Sequence, residues 1–168
     1  MLLAILPVPT FLLDGVVMSH EVLATFLKNS QEFIDLAKSI SPSDYGKVAK
    51  PGEWSAGFVI HHMADADSQF AVRYLNILTI DQPGIVPFDE DAYANSAYYS
   101  KRDPAASLAK MIGAHAYLAE LFGALKDSDW ARTGNHPEAG IVSLSDVVNT
   151  AAGHIGGHAN QLKEIINA

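Results

Sequence analysis

The chain has 168 residues and a mass of 18.0 kDa, enough for one compact domain that buries about 70% of its unfolded surface and too little for two of ordinary size. Hydrophobic residues make up 49% and charged residues 18%, with a mean hydropathy of +0.11, which excludes an intrinsically disordered chain. Nineteen acidic against eleven basic residues give a net charge of −8, leaving phosphate-driven nucleic-acid binding without an electrostatic source, and zero cysteines exclude disulfides, thiolate metal sites and a cysteine nucleophile.

Residues Met1 to Leu13 form an apolar run broken by Pro7 and Pro9. It is too short to span a bilayer, and with no Lys or Arg before Lys28 it lacks the basic start of a secretory signal. The expectation is an apolar arm over 1–18, or sequence upstream of a start at Met18, ahead of a helical domain over 19–168. The expected location is cytoplasmic, with no membrane association.

Apolar spacing predicts a first helix from about Ser19, as N-cap, to Ser39, with Leu23, Phe26, Leu27, Phe33, Ile34 and Ala37 inward. Pro42, Gly46, Pro51 and Gly52 then punctuate a loop, and a second helix follows Trp54 and Ser55 to about Leu78. Its inward stripe is Phe58, His62, Ala66, Phe70, Tyr74 and Ile77. Residues 79–102 read as a long connection with one short helix near Asp89 to Ala94, a crossover or a lid. Asp103 and Pro104 open a third helix ending near Lys126, with Leu108, Ile112, His115, Leu118, Phe122 and Leu125 inward. A loop with room for a small hairpin follows, and Ser143 to Asp146 has capping-box spacing that starts a fourth helix running nearly to Ala168. The sum is an all-α four-helix bundle with a non-hairpin crossover.

His154 and His158 are one helical turn apart on the stripe Val147, Ala151, His154, His158, Leu162 and Ile165, so both rings project from the inward face about 6 Å apart along the axis. Buried imidazoles need partners for both ring nitrogens, and a metal ion supplies one each. His62 lies on the inward stripe of the second helix, whereas His61 is rotated about 100° away, so His62 is the expected third ligand. The plain alternative for each is a core histidine satisfied by backbone or hydroxyl groups. Three neutral imidazoles with an open fourth position suit Zn²⁺ or Ni²⁺. Asp65, one turn beyond His62, is a candidate base or ligand-orienting group, with a solvated or capping carboxylate as the alternative. Gln161 is placed to hydrogen-bond behind His158. His115 faces inward on the third helix, either lining the pocket or satisfied in the core, and His20 and His136 read as surface residues. Gly153, Gly156 and Gly157 cost helix stability and point to close packing or to room for a ligand.

Pro51-Gly52-Glu53-Trp54-Ser55, the run Val59 to Asp65, the pair His154 and His158, and Gln161-Leu162 resemble the DinB/YfiT-like metalloenzyme superfamily, its YfiT branch most closely. The resemblance is collinear from about Leu23 to Ile165. It implies an up-down-down-up bundle, a divalent metal on three histidines and frequent homodimers. It also implies a link to low-molecular-weight thiols, since bacillithiol S-transferases, mycothiol-dependent isomerases and thiol transferases occur among its members, beside many with no demonstrated activity. The His115 position looks similar in the YfiT branch as well. The family name's association with DNA damage finds no support in this charge balance.

The expected function is therefore a metal-dependent S-transferase in which the ion activates an exogenous thiol towards an electrophilic substrate. Two alternatives stand beside it. One is a non-catalytic metal-binding bundle serving dimerisation or ligand binding; the other is a metal-dependent hydrolase of a small ester or amide. Position 155 is Ile and no HExxH occurs, so the glutamate base of helical zinc proteases is absent.

Overall fold

The computed structural model describes residues 11–168; the first ten residues of the expected arm lie outside the described residues. Six helices and a hairpin follow one another in the order α1 (Phe11–Ser39), α2 (Ala56–Thr79), α3 (Glu90–Ser96), α4 (Pro104–Gly123), α5 (Asp127–Trp130), β1 (Thr133–His136), β2 (Gly140–Ser143) and α6 (Leu144–Asn167), with single 3₁₀ turns at Pro42–Asp44 and Tyr99–Lys101. Three of the four long helices start on side-chain caps. Ser55 Oγ accepts from Phe58 N at the head of α2, and Asp103 Oδ1 accepts from Ala105 N at the head of α4. The Ser143 hydroxyl accepts from Asp146 N while Asp146 Oδ2 accepts from Ser143 N, completing the predicted capping box of α6. Ser19 is not a cap, because α1 already begins at Phe11.

Side-chain pairing between helices gives the chain direction. Asn29 Nδ2 donates to Ala152 O at 2.8 Å and Glu32, further along α1, meets Lys163, further along α6; α1 and α6 run parallel. On α2 and α4, His61 pairs with Ser107, Asp67 with His115 and Tyr74 with Phe122, in step, so these two are also parallel. The bundle is up-down-down-up, and two parallel neighbours cannot be joined by a hairpin. Residues 80–103 must travel back along its length, which is why the connection is long.

That return is anchored at both ends. Arg132, just after α5, donates from Nε to Ile77 O and from Nη2 to Ile80 O, covering carbonyls that α2 leaves unpaired at its end. Asn135 of β1 donates its N–H to Pro83 O and accepts from Ile85 N. A Cβ on Gly134 would stand 3.1 Å from Pro83 O and 3.2 Å from Ile77 Cγ1, so a larger residue would push the hairpin back by a few tenths of an ångström. The short helix α5 is absent from the apolar pattern, being a single turn held by Asp129 accepting from Lys126 N.

Phe26, Phe33, Ile60, Met63, Tyr74, Leu118, Phe122 and Ile155 pack in the core. Two residues expected inward face solvent instead: Leu27 is 40% and Ile112 37% exposed, with Met111 taking the core position beside Ile112. No helix among the described residues is long and apolar enough to cross a membrane.

Candidate metal centre

Two stretches of chain build the site. Gly52, at φ +89°, turns the loop before α2 through the left-handed region that favours glycine, and the indole of Trp54 then packs on the His62 ring with centroids 5.1 Å apart. His62 follows in the second turn of α2, fully buried. From the other side α6 presents His154 and His158, one turn apart.

The three rings converge. His154 Nε2 stands 3.0 Å from His62 Nε2 and 3.1 Å from His158 Nε2, and all three atoms lie within 4.8 Å of one another. Gln161 Oε1 accepts from His158 Nδ1 at 2.8 Å, which puts that ring's proton on Nδ1 and leaves its Nε2 a bare lone pair. His154 Nε2 offers either one N–H or one lone pair, so it makes at most one of its two short contacts as a full hydrogen bond and leaves the other uncompensated. A cation at the common point removes that conflict. It also fits the spacing, because nitrogens about 2.0–2.1 Å from a tetrahedral ion lie roughly 3.3 Å apart. Burial, with the neighbouring imidazoles adding to it, holds His62 down at about 3 and His154 down at about 4, and burial lowers His158 too, which favours the neutral form that a metal ion requires. The donor set fits a borderline divalent ion such as Zn²⁺ or Ni²⁺.

No fourth protein ligand belongs to the group among the described residues. A groove of about 400 Å³, lined by His154, Gly157, His158, Asn160, Gln161 and Glu164, opens beside it. The glycine cluster divides between two jobs. Gly156 makes room for Asn29, whose Nδ2 would lie 2.8 Å from an added Cβ, whereas Gly157 floors the groove with nothing within 4 Å.

His62, His154, His158 and Gln161 are thus brought together, and His61 is held apart: its Nδ1 accepts from Ser107 Oγ and its Nε2 donates to Arg102 O. Asp65 and His115 are placed elsewhere. Asp65 Oδ2 pairs with Arg102 Nη1 at 3.1 Å, fastening the returning end of the crossover to α2. His115 Nε2 lies 2.9 Å from Asp67 Oδ2 in the bundle interior, without hydrogen-bond alignment, and its ring packs on Phe26. One residue at the centre is not evident from the apolar pattern: Glu90, at the start of α3, brings Oε2 to 3.7 Å from His62 Nε2. Phe88 beside it packs towards the His62 ring at 6.3 Å.

The molecule is a four-helix bundle of this direction order with three imidazoles converging between α2 and α6, a set able to hold a metal ion. The chain belongs to the DinB superfamily, whose family model matches residues 25–162. It is 28% identical over 117 residues to the Bacillus subtilis protein named "Putative metal-dependent hydrolase YfiT", covering 69% of this chain and 66% of that one. A Bacillus mycoides protein with the same functional name is 26% identical over 96% of each chain. The solved structure of YfiT, described as having an unusual four-helix bundle topology, superposes with a TM-score of 0.78 at 23% identity over 89% of this chain and 86% of that one. A mycothiol-dependent maleylpyruvate isomerase matches with a TM-score of 0.71 at 16% identity, over 86% of this chain and 60% of that one.

Proposed function

We propose that this protein is a divalent-metal-dependent transferase that joins a low-molecular-weight thiol to an electrophilic small molecule. The observation that carries the reading is the set of three converging Nε2 atoms with an open side on a polar groove. A divalent ion bound there would supply Lewis acidity, lowering the pKa of a thiol or a water brought to it.

The chain's own groups then have definite tasks. Gln161 fixes the tautomer of His158. Trp54, Phe70 and Phe88 pack around the imidazoles and keep bulk water from their sides. Glu90 offers a carboxylate beside His62 that can take a proton. Two separate volumes favour a two-substrate reaction: the polar groove borders His154, and a second, more enclosed cleft borders Thr150, one turn earlier on α6. The thiol-dependent structural neighbour is consistent with this reading.

Hydrolysis of a small ester or amide is the second reading. It is favoured by the position of Glu90, which equally suits a base for water, and by the functional name carried by the Bacillus relatives. The two are separated by assaying metal-loaded protein with a panel of cellular thiols and an electrophilic acceptor, with His158→Ala as control. Thiol-dependent turnover lost in the variant supports the transferase. Equal rates in both proteins overturn it, and turnover without thiol supports the hydrolase.

A further inference from the structure

The second cleft is not explained by the metal centre. It has a volume of about 230 Å³ and lies between α2, α6, the hairpin and the start of the crossover. That is below the roughly 300–1,000 Å³ of drug-sized sites and is scaled to a small metabolite. Phe70, Ile85, Val142 and Val147 make its walls largely apolar, and Arg73 places a permanent cation in it. The guanidinium is clamped between two rings, with Cζ 5.0 Å from the centre of Phe70 and 5.8 Å from that of Phe88. Nη2 donates to Val86 O at 2.8 Å. No carboxylate among the described residues is in ion-pair contact with Arg73, and its Nε–H is buried without an acceptor. A half-buried guanidinium held by two rings and one carbonyl, with its buried Nε–H left without an acceptor, has the donor that an anion would complete.

Two neighbours sharpen the ligand class. His136 borders the cleft, and its Nδ1 accepts from Glu138 N and Ala139 N, so the neutral ring carries its proton on Nε2 as a second donor. Asp146 also borders it, but its Oδ2 is committed to Ser143 N and Oγ. One arginine fork, a neutral donor and a nearby carboxylate suit a planar monoanion better than a dianionic phosphate. The cleft adjoins the metal centre, because the rings that clamp Arg73 also back the ligands: Phe70 is 6.2 Å from the His154 ring and Phe88 is 6.3 Å from that of His62. The 5.0 Å and 6.2 Å steps through Phe70 put the guanidinium no more than about 11 Å from the His154 ring centre.

We propose that this cleft is the acid subsite of the protein, binding the carboxylate of a small apolar organic acid through Arg73 so that the rest of the molecule reaches towards the three histidines. The assignment of that acid as the second substrate rests on the transferase reading; its binding does not. Isothermal titration calorimetry with isocaproate as probe, on metal-loaded and on chelator-stripped protein, tests it. Isocaproate binds both forms with similar affinity, isocaproamide binds at least tenfold more weakly, and Arg73→Gln loses at least tenfold. Because Arg73 also holds Val86, Thr150→Phe provides a second variant. The threonine hydroxyl only bonds back to Asp146 O within α6, and the phenyl ring fills the cleft, so this variant also loses binding. His158→Ala, which the transferase reading expects to lose turnover, keeps isocaproate affinity within about twofold; metal-loaded wild type that binds isocaproate yet shows no thiol-dependent turnover sinks the catalytic reading and leaves the subsite standing. No binding by the wild type, equal binding of acid and amide, undiminished binding in Thr150→Phe, or binding only to the metal-loaded form overturns the subsite.

Discussion

Gln161 accepts a hydrogen bond from His158 Nδ1 at 2.8 Å, three residues apart on the same helix face. Of the three converging histidines, His158 alone has its rear nitrogen satisfied; Nδ1 of His62 and of His154 is buried without a partner. The amide therefore decides which nitrogen of His158 faces the centre. Gln161→Leu should lower metal affinity about 10–100-fold with little change in thermal stability of the metal-free protein. Gln161→Glu, which restores a stronger acceptor, should recover it. Competition against a chromogenic chelator measures both, and unchanged affinity in Gln161→Leu would remove the orienting role.

The metal-free protein should lose stability in mild acid. In the unfolded chain the three histidines titrate near about 6.5, whereas in the fold burial holds His62 at about 3 and His154 at about 4, and lowers His158. Between those values the unfolded chain binds protons that the fold refuses, so stability from these groups is present above about pH 6.5 and declines as pH falls towards 4. Urea midpoints of chelator-stripped protein at several pH values give the slope. Replacing all three histidines by Gln should flatten it, and an unaltered slope would assign the acid sensitivity to other groups.

The position of the triad is legible because it depends on local periodicity. A 100° step per residue turns His62 towards α6 and His61 towards Ser107 of α4, both of them buried, and a four-residue step aligns His154 with His158. Glu90 is not legible in this way: its approach to His62 depends on where a connection with no apolar period folds back. His115 is legible as inward, yet its partner Asp67 lies on another helix and on no apolar stripe, so the buried pair appears only in three dimensions. Asp65 shows the reverse limit, since nearness to His62 along the helix does not reveal that Arg102, arriving from the crossover, takes its carboxylate.

Two glycines of α6 should respond oppositely to a methyl group. Gly153 has nothing within 4 Å of an added Cβ, so Gly153→Ala should gain up to about 1 kcal/mol of helix propensity. At Gly156 the same gain is offset by displacement of Asn29, whose amide would lie 2.8 Å from the new Cβ and whose bond to Ala152 O ties α1 to α6. A hydrogen bond of this kind is worth roughly 0.5–1.5 kcal/mol, leaving Gly156→Ala near neutral or destabilised. Thermal melts of the two single variants check the contrast, which fails if both shift upward alike.

Among the described residues Glu90 alone brings a carboxylate within 4 Å of one of the three nitrogens, and its side chain remains 59% exposed. It stands at the first position of α3, which Asp89 caps by accepting from Ala92 N and which Gln69 ties to α2 by donating to the Tyr93 hydroxyl. These contacts set the helix independently of the Glu90 carboxylate, so Glu90→Gln should fold normally. If the carboxylate takes the proton of the incoming nucleophile, the variant should keep full metal content and a similar KM while kcat falls about 10²–10⁴-fold. A fourth-ligand role gives a different pattern, in which chelator competition shows weakened metal binding and activity returns at high metal concentration. Measuring metal affinity and kcat on the same preparation distinguishes the two, and a variant unchanged in both would leave Glu90 outside the chemistry.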